Sequence, residues 1–482
     1  MNEHVKMWIG GDWVDAEGGA TFDASSPATG AVIASVPEGT RADAQRAIEA
    51  AIAAAPGWAG MSAFDRAAAM RRVGEAIDAR RVDLSFALAS DQGKPLVAEA
   101  RDEVEELIAY FDMAAADATR MEGLLPPSVD ANKRVLLYRV PRGVVSIISP
   151  WNWPYTMPGE ILAPAIAYGN TVVWAPAPTT SVCAARFAEC LEAADMPAGV
   201  VNMITGPGPV VGDEIAANPG TQAVGFIGSI ATGHTVASRA AGKDLLLEMG
   251  GNGPLVVLED ADLAAAVEAT LAACFLNAGQ SCTAGERILV HEDVHEEFVQ
   301  RLAAAVEGRI RLGDPFEDAT TMGPLNNEAT ADKTERHVRD AVDHGATLIT
   351  GGDRAPKHGS DLFYEATVLD GVTDDMAIAR EETFGPVAPV STIRSEREAI
   401  ELVNAWPYGL LSAVFTRDLG RGLRYAESVR AGWVNVNEGT NYWESHLPFG
   451  GRAGSQSGVG RVGGRFSMER LTELKTVVLN LT

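Results

Sequence analysis

Cysteine is scarce in this chain: 482 residues contain four, Cys183, Cys190, Cys274 and Cys282. That excludes a disulfide scaffold at this length. No two cysteines have the spacing of a dithiol redox motif or a zinc ribbon, and no metal is expected. Basic residues are also few, with 39 Lys and Arg against 65 Asp and Glu, for a net charge of −26. Such a field repels nucleic acid and anionic lipid, and no Lys/Arg cluster offers a local exception. A long hydrophobic run is missing too. Residues 161–185 carry no formal charge over a length that could span a bilayer, but Pro164, Gly169, Asn170, Pro176 and Pro178 interrupt them. A buried helix, turn and strand explain that stretch better. The N-terminus is charged early and lacks the apolar core of a signal peptide. These absences describe a reduced, cytoplasmic protein that binds neither nucleic acid nor membrane.

What is present is an ordinary globular composition, 46% hydrophobic and 22% charged. The length allows about two to four domains. A turn-rich start around Trp8 and Trp13 reads as a hairpin. Ala-rich helical patterns follow at 41–55 and 63–80, then two more between 84 and 118. Residues 133–140 alternate like an exposed strand. Beyond them, short apolar strands at 144–148, 170–174, 200–204, 223–227 and 245–248 alternate with helices at 158–168, 181–193, 212–217 and 233–241. This is the grammar of a parallel sheet covered on both faces. A second α/β unit begins near residue 250, with strands at 254–258 and 287–290 and helices at 262–276 and 293–307. Residues 473–479 form a terminal strand. The fold class is α/β.

Several segments could carry chemistry. Cys282 lies among small and polar residues, Asn-Ala-Gly-Gln-Ser-Cys-Thr-Ala-Gly at 277–285, which suits a thiol exposed at a turn. The other three cysteines sit in helical, apolar contexts and read as packing residues. Glu248 ends an apolar strand before Met249-Gly250-Gly251, at the sheet edge where α/β folds bind ligands. Burial there would raise its pKa toward that of a useful base. Pro150 and Pro154 brace Asn152, whose amide is then rigidly aimed. Gly225 to Ser229, with Gly233 beyond, joins a strand to a helix whose N-terminus can face a phosphate. No Gly-x-Gly-x-x-Gly fingerprint occurs in that context, and Gly206 to Gly212 is only a weak glycine-rich turn.

Taken singly, each segment also reads as a packing or surface feature. In this order they match a family. Pro-Trp-Asn-Trp-Pro at 150–154, Phe-Ile-Gly-Ser at 226–229, Glu-Met-Gly-Gly at 248–251, Gly-Gln-Ser-Cys at 279–282, Glu-Glu-Thr-Phe-Gly-Pro at 381–386 and Pro-Phe-Gly-Gly at 448–451 resemble the aldehyde dehydrogenase superfamily over essentially the whole chain. The resemblance implies a Rossmann-type cofactor domain (1–119 and 142–250), an α/β catalytic domain (251–450) and a small β oligomerisation arm (120–141 and 467–482). It implies a homodimer or homotetramer. It also implies oxidation of a small-molecule aldehyde to the acid with NAD or NADP. Cys282 would attack the aldehyde, Asn152 and the Cys282 N–H would hold the oxyanion, and Glu248 would activate the hydrolytic water. Gly228 and Ser229 would approach the pyrophosphate, Glu382 the nicotinamide ribose, and Trp151 and Phe384 the ring.

The chain departs from the family pattern at several positions. Ala175 and Pro178 stand where relatives carry a Lys and a Glu that hold the adenosine ribose, at a cost of roughly 1.5–3 kcal/mol per charge-assisted bond lost. The choice between NAD and NADP stays open. Ile161 and Val462 replace a Lys and a Glu associated with proton transfer, which leaves Glu248 as the evident base. Trp153, Met157, Glu160, Tyr442, Trp443 and Phe449 would line the substrate tunnel. A wide aromatic tunnel would suit an aromatic or long apolar aldehyde. An inward Glu160 would suit one bearing an ammonium group. Two other readings stand beside oxidation: a fold kept for binding with weakened cofactor affinity, and a thiol esterase that needs no nucleotide.

Overall fold

The computed structural model describes residues 3–482. Its first sheet is built on five parallel strands, Val144–Ile148, Thr171–Ala175, Val201–Met203, Ala223–Gly228 and Asp244–Met249. They are Val- and Ile-rich and buried on both faces, as a sheet covered by helices on each side requires. The fifth, fourth, first, second and third strands in chain order lie side by side. The order therefore reverses between Val144–Ile148 and Ala223–Gly228, where open α/β sheets bind ligands beyond the strand C-termini. The N-terminal hairpin, with Trp8 opposite Trp13, extends one edge antiparallel. Gly458–Val459 closes the other edge beside Asp244–Met249.

The second sheet has six parallel strands in spatial order Thr367–Asp370, Val387–Ile393, Gly285–His291, Gly253–Val257, Leu411–Phe415 and Trp433–Val436, with Thr347–Thr350 antiparallel at one edge. Lys133–Pro141 and Thr472–Asn480 pair along their full length as a separate antiparallel ribbon. Leu474, Val478 and Leu479 are exposed on it. Among the described residues, no helix is long and apolar enough to cross a membrane.

Helix ends differ from the sequence reading where packing intervenes. The first long helix was expected to stop at residue 55, before Pro56-Gly57, yet it runs Arg41–Gly60. A capping box between Thr40 and Asp43 starts it. Trp58 holds its last turn: the ring is buried, and its indole N–H donates to the Ile166 carbonyl at 2.8 Å. The helix expected from Gly233 begins earlier, at Ile230, because the Ser229 side chain caps it by accepting from the Thr232 N–H.

The two sheets meet edge to edge. Residues 149–152, 228–229 and 248–249 follow or end strands of the first sheet, whereas 250–252, 282–284 and 382–386 precede strands of the second. The C-terminal edge of one therefore faces the N-terminal edge of the other, and the connecting loops converge in the crevice between them.

Candidate active site

Cys282 lies in a turn just before the Gly285–His291 strand. It is not an exposed thiol: only 8% of its surface is accessible. The burial comes from the loop that leads to it. Asn277 and Ala278 both adopt φ of 52°, and Gly279 follows at 73°. Left-handed backbone at two non-glycine residues stores strain that the surroundings must hold. A side chain at Gly279 would meet the Gly385 carbonyl at 2.1 Å, so only glycine fits. Polar ties fix the loop: the Asn277 amide donates to the Asn152 carbonyl at 2.8 Å, and Gln280 accepts from the Asn326 N–H at 2.8 Å. The Glu99 carboxylate accepts the Asn277 N–H at 3.0 Å.

Asn152 reaches the same loop from the first sheet. Its side-chain amide donates to the Gln280 carbonyl at 3.0 Å. One amide hydrogen is thus used to aim the group, which leaves the second free to serve an oxygen near Cys282.

Glu248, at the end of Asp244–Met249, is 3% exposed, and its Oε1 has no hydrogen-bond partner among the described residues. Burial pushes its pKa up to about 8; the Glu382 charge adds to this, and the hydrogen-bonded Cys282 thiol draws the other way. Burial, followed by the Glu248 charge, holds the Cys282 thiol well above its usual range. Beside them, Glu160 projects from Thr156–Ala167. It is 5% exposed and its Oε1 is likewise unpartnered among the described residues. Burial and then the Glu248 charge raise its pKa far above the usual carboxylate range.

Cys282 and Glu248 belong to two cavities. One, of about 50 Å³, is walled by Tyr110, Trp153, Met157, Glu160, Trp443 and Phe449, with Asn441 and Thr283 at its margin. The other, of about 170 Å³, runs past Trp151, Asn152, Gly228, Ser229, Lys333, Glu382 and Phe384. In this second cavity the residues fit a dinucleotide. Gly228 and Gly233 keep the strand-to-helix turn tight, since a side chain at either would collide with Phe226 or Met249. The Ile230–Arg239 helix offers its N-terminus. The Glu382 carboxylate accepts the Gly251 N–H at 3.1 Å, and a side chain at Gly250 would strike it at 2.6 Å. Burial lifts the Glu382 pKa to about 7 despite the nearby Lys333 cation. Phe384, at φ of 60°, meets Trp151 edge to face at 5.6 Å. Its backbone N–H and that of Thr383 donate to the buried Glu286 carboxylate at 2.7 and 2.9 Å.

Some residues singled out from sequence do not line these two cavities. Tyr442 does not line the cavity: its ring is 47% exposed and its hydroxyl donates to Glu444. Asn441 takes that place on the wall. Ala175 packs in an apolar cluster with Val173 and Val211, and Pro178 begins an exposed turn. Neither lines the cofactor-side cavity; Ala175 ends the strand next to Val144–Ile148, and Pro178 follows it. The walls do not form a wide tunnel either. About 50 Å³ holds roughly three or four waters.

Sequence reasoning missed Tyr110, Lys333, Glu286 and Glu99. Tyr110 and Lys333 sit within long amphipathic helices, Arg101–Ala118 and Glu328–Asp343, where nothing local separates a cavity-facing position from any other. Glu286 and Glu99 carry a signal only in retrospect, as acids inside otherwise buried segments.

Residues 13–477 match the model of the aldehyde dehydrogenase family. The chain is 40% identical over 476 residues to a 3-sulfolactaldehyde dehydrogenase of Pseudomonas putida, covering 98% of this chain and 96% of the relative. It is 36% identical to the NADP+ succinate-semialdehyde dehydrogenase of Escherichia coli K12, covering 98% and 97%. The solved succinate-semialdehyde dehydrogenase of Burkholderia pseudomallei superimposes with a TM-score of 0.96 at 40% identity, covering 99% and 98%.

Proposed function

The chain belongs to the aldehyde dehydrogenase family, and we propose that it oxidises a short aldehyde to the carboxylic acid, with Cys282 as nucleophile and NAD or NADP as oxidant. The observation that carries this reading is that Cys282 and Glu248 lie where two cavities meet. One is narrow and apolar, and the other is lined by dinucleotide-binding groups.

The aldehyde carbon enters through the narrow cavity. Glu248 takes the Cys282 proton, and the sulfur attacks the carbonyl carbon, forming a C–S bond and an oxyanion. The free hydrogen of the Asn152 amide and the Cys282 N–H face that oxygen. Donors fixed before the reaction need no reorganisation as charge develops. When bound, NAD(P)+ would supply the hydride acceptor needed to take the Cys282 adduct to a thioester. Gly228, Ser229, Lys333, Glu382 and the Trp151–Phe384 pair would hold it. Glu248 releases the first proton to solvent and then removes one from water; the hydroxyl attacks the thioester carbon, and the C–S bond breaks to release the acid as the Cys282 sulfur takes the proton from Glu248. A buried carboxyl with one unpartnered oxygen and a pKa of about 8 is suited to both proton transfers near neutrality.

The same reading assigns 1–119 and 142–250 to cofactor binding, 251–450 to catalysis, and 120–141 with 467–482 to an oligomerisation arm. The two sheets and the separate ribbon support that division. An aldehyde panel with each cofactor, read by absorbance of the reduced nicotinamide, tests the function. Turnover that vanishes in Cys282→Ala is the expected result; oxidation retained in that variant refutes the nucleophile. Ester hydrolysis without nucleotide, in the absence of any oxidation, would instead identify a thiol esterase.

A further inference from the structure

The narrow cavity contains an acid that the reaction does not use. Glu160 is 5% exposed, it borders the cavity, and its Oε1 has no partner among the described residues. The Tyr110 hydroxyl stands near enough to draw the Glu160 pKa down, but a buried carboxyl oxygen left unpaired is still costly and needs a reason. Around it stand the rings of Tyr110, Trp153, Trp443 and Phe449. Tyr110 and Trp443 stack at 6.3 Å, and Trp443 meets Phe449 at 6.0 Å. Among the described residues, no Lys, Arg or His lines this cavity. Lys94 does not line the cavity and is already committed: it lies over the Trp153 ring, 3.2 Å from the centroid, and pairs with Glu103 at 2.5 Å.

This charge pattern has the wrong sign for an anionic substrate. Succinate semialdehyde carries a carboxylate and sulfolactaldehyde a sulfonate. Either would enter a narrow, aromatic space that already holds two carboxyl groups and would find no Lys, Arg or His on its lining. A cation finds the opposite: a carboxyl group short of a partner and several π faces, both of which attract positive charge. We propose that the substrate is a short aldehyde bearing an ammonium group at its far end, and that Glu160 is the residue that selects it. This inference rests on the aldehyde-oxidising function proposed above. The ammonium group takes the place of the proton that Glu160 otherwise keeps, and the chain between the two groups must be short because the cavity is small.

The test compares three aldehydes of similar size: beta-aminopropanal, butanal and succinic semialdehyde. The wild-type kcat/KM should favour the ammonium aldehyde over butanal by roughly tenfold or more, with the carboxylate compound below both. In Glu160→Gln, the ratio of ammonium to neutral aldehyde should collapse toward unity. Preference for succinic semialdehyde, or a ratio unchanged in Glu160→Gln, overturns the proposal. A second readout is independent of turnover. Propylammonium should quench the fluorescence of Trp153 and Trp443 and protect Cys282 from alkylation in the wild type, whereas propionate should not. Equal protection by both ions also overturns it. Oxidation of none of the three aldehydes, with propylammonium binding intact, would overturn the oxidative function and leave the cation site standing.

Discussion

One constraint on the site is the ion pair between Lys94 and Glu103, in which both side chains are fully buried. Glu103 accepts the N–H groups of Tyr155 at 2.9 Å and Thr156 at 3.3 Å, at the start of the helix that carries Glu160. Lys94 lies on Trp153. One pair thus fixes both the wall and the helix behind it. Glu103→Gln keeps an oxygen for the two N–H groups but leaves the Lys94 ammonium buried beside a neutral partner. Removing one member of a buried pair costs about 3–5 kcal/mol, against a total stability of roughly 5–15 kcal/mol. Glu99, whose buried carboxyl also feels the Lys94 charge, recovers part of this and places the expected loss at the lower end. Glu103→Ala should cost about 1–3 kcal/mol more, because the N–H groups lose their acceptor. Urea unfolding followed by far-ultraviolet circular dichroism measures both. Combining Lys94→Met with Glu103→Gln removes both charges and should restore most of the loss. A single variant within about 1 kcal/mol of wild type, or a double variant no better than the single, would refute the reasoning that an unpaired buried charge is what destabilises.

Other consequences concern the reaction. Glu248→Gln should slow the burst of reduced cofactor as well as steady turnover, by about 10²–10⁴-fold, because Glu248 accepts the Cys282 proton before it accepts one from water; rapid-mixing absorbance follows both phases. A base must be deprotonated to act, so wild-type steady turnover should rise with pH through about 8, where burial places the Glu248 pKa. The same limb persisting in Glu248→Gln would assign it to another group. Lys333→Met removes the cation that borders the cofactor-side cavity. It should weaken NAD(P) binding by roughly tenfold or more, as loss of a charge-assisted contact does. Quenching of tryptophan fluorescence gives the dissociation constant.

The alternation of apolar strands and helices was legible from residue 144 to about 307, and the structure shows it with ends moved by a few residues; the strands and helices between 328 and 436 were not read from the sequence. The exceptions are instructive. Pro56 and Gly57 are stop signals, but buried Trp58 carries the helix past them. At the site, the order of short motifs was legible and pointed to the family. Which side chains share a cavity was not. Tyr442 and Asn441 are neighbours in sequence, yet Asn441 reaches the wall and Tyr442 turns to Glu444.

The scarcity of cysteine and the motif around Cys282 are properties of the chain, and they marked one thiol out from three that pack. The sequence alone also carried the family, because Glu248, Cys282 and their glycines are local patterns that depend on backbone shape. Tertiary structure alone decided the environment. Burial and the charges around a group set its pKa, and both come from distant segments. Glu160, Glu248 and Cys282 are far apart in sequence and become one electrostatic unit only when the C-terminal edge of the first sheet meets the N-terminal edge of the second.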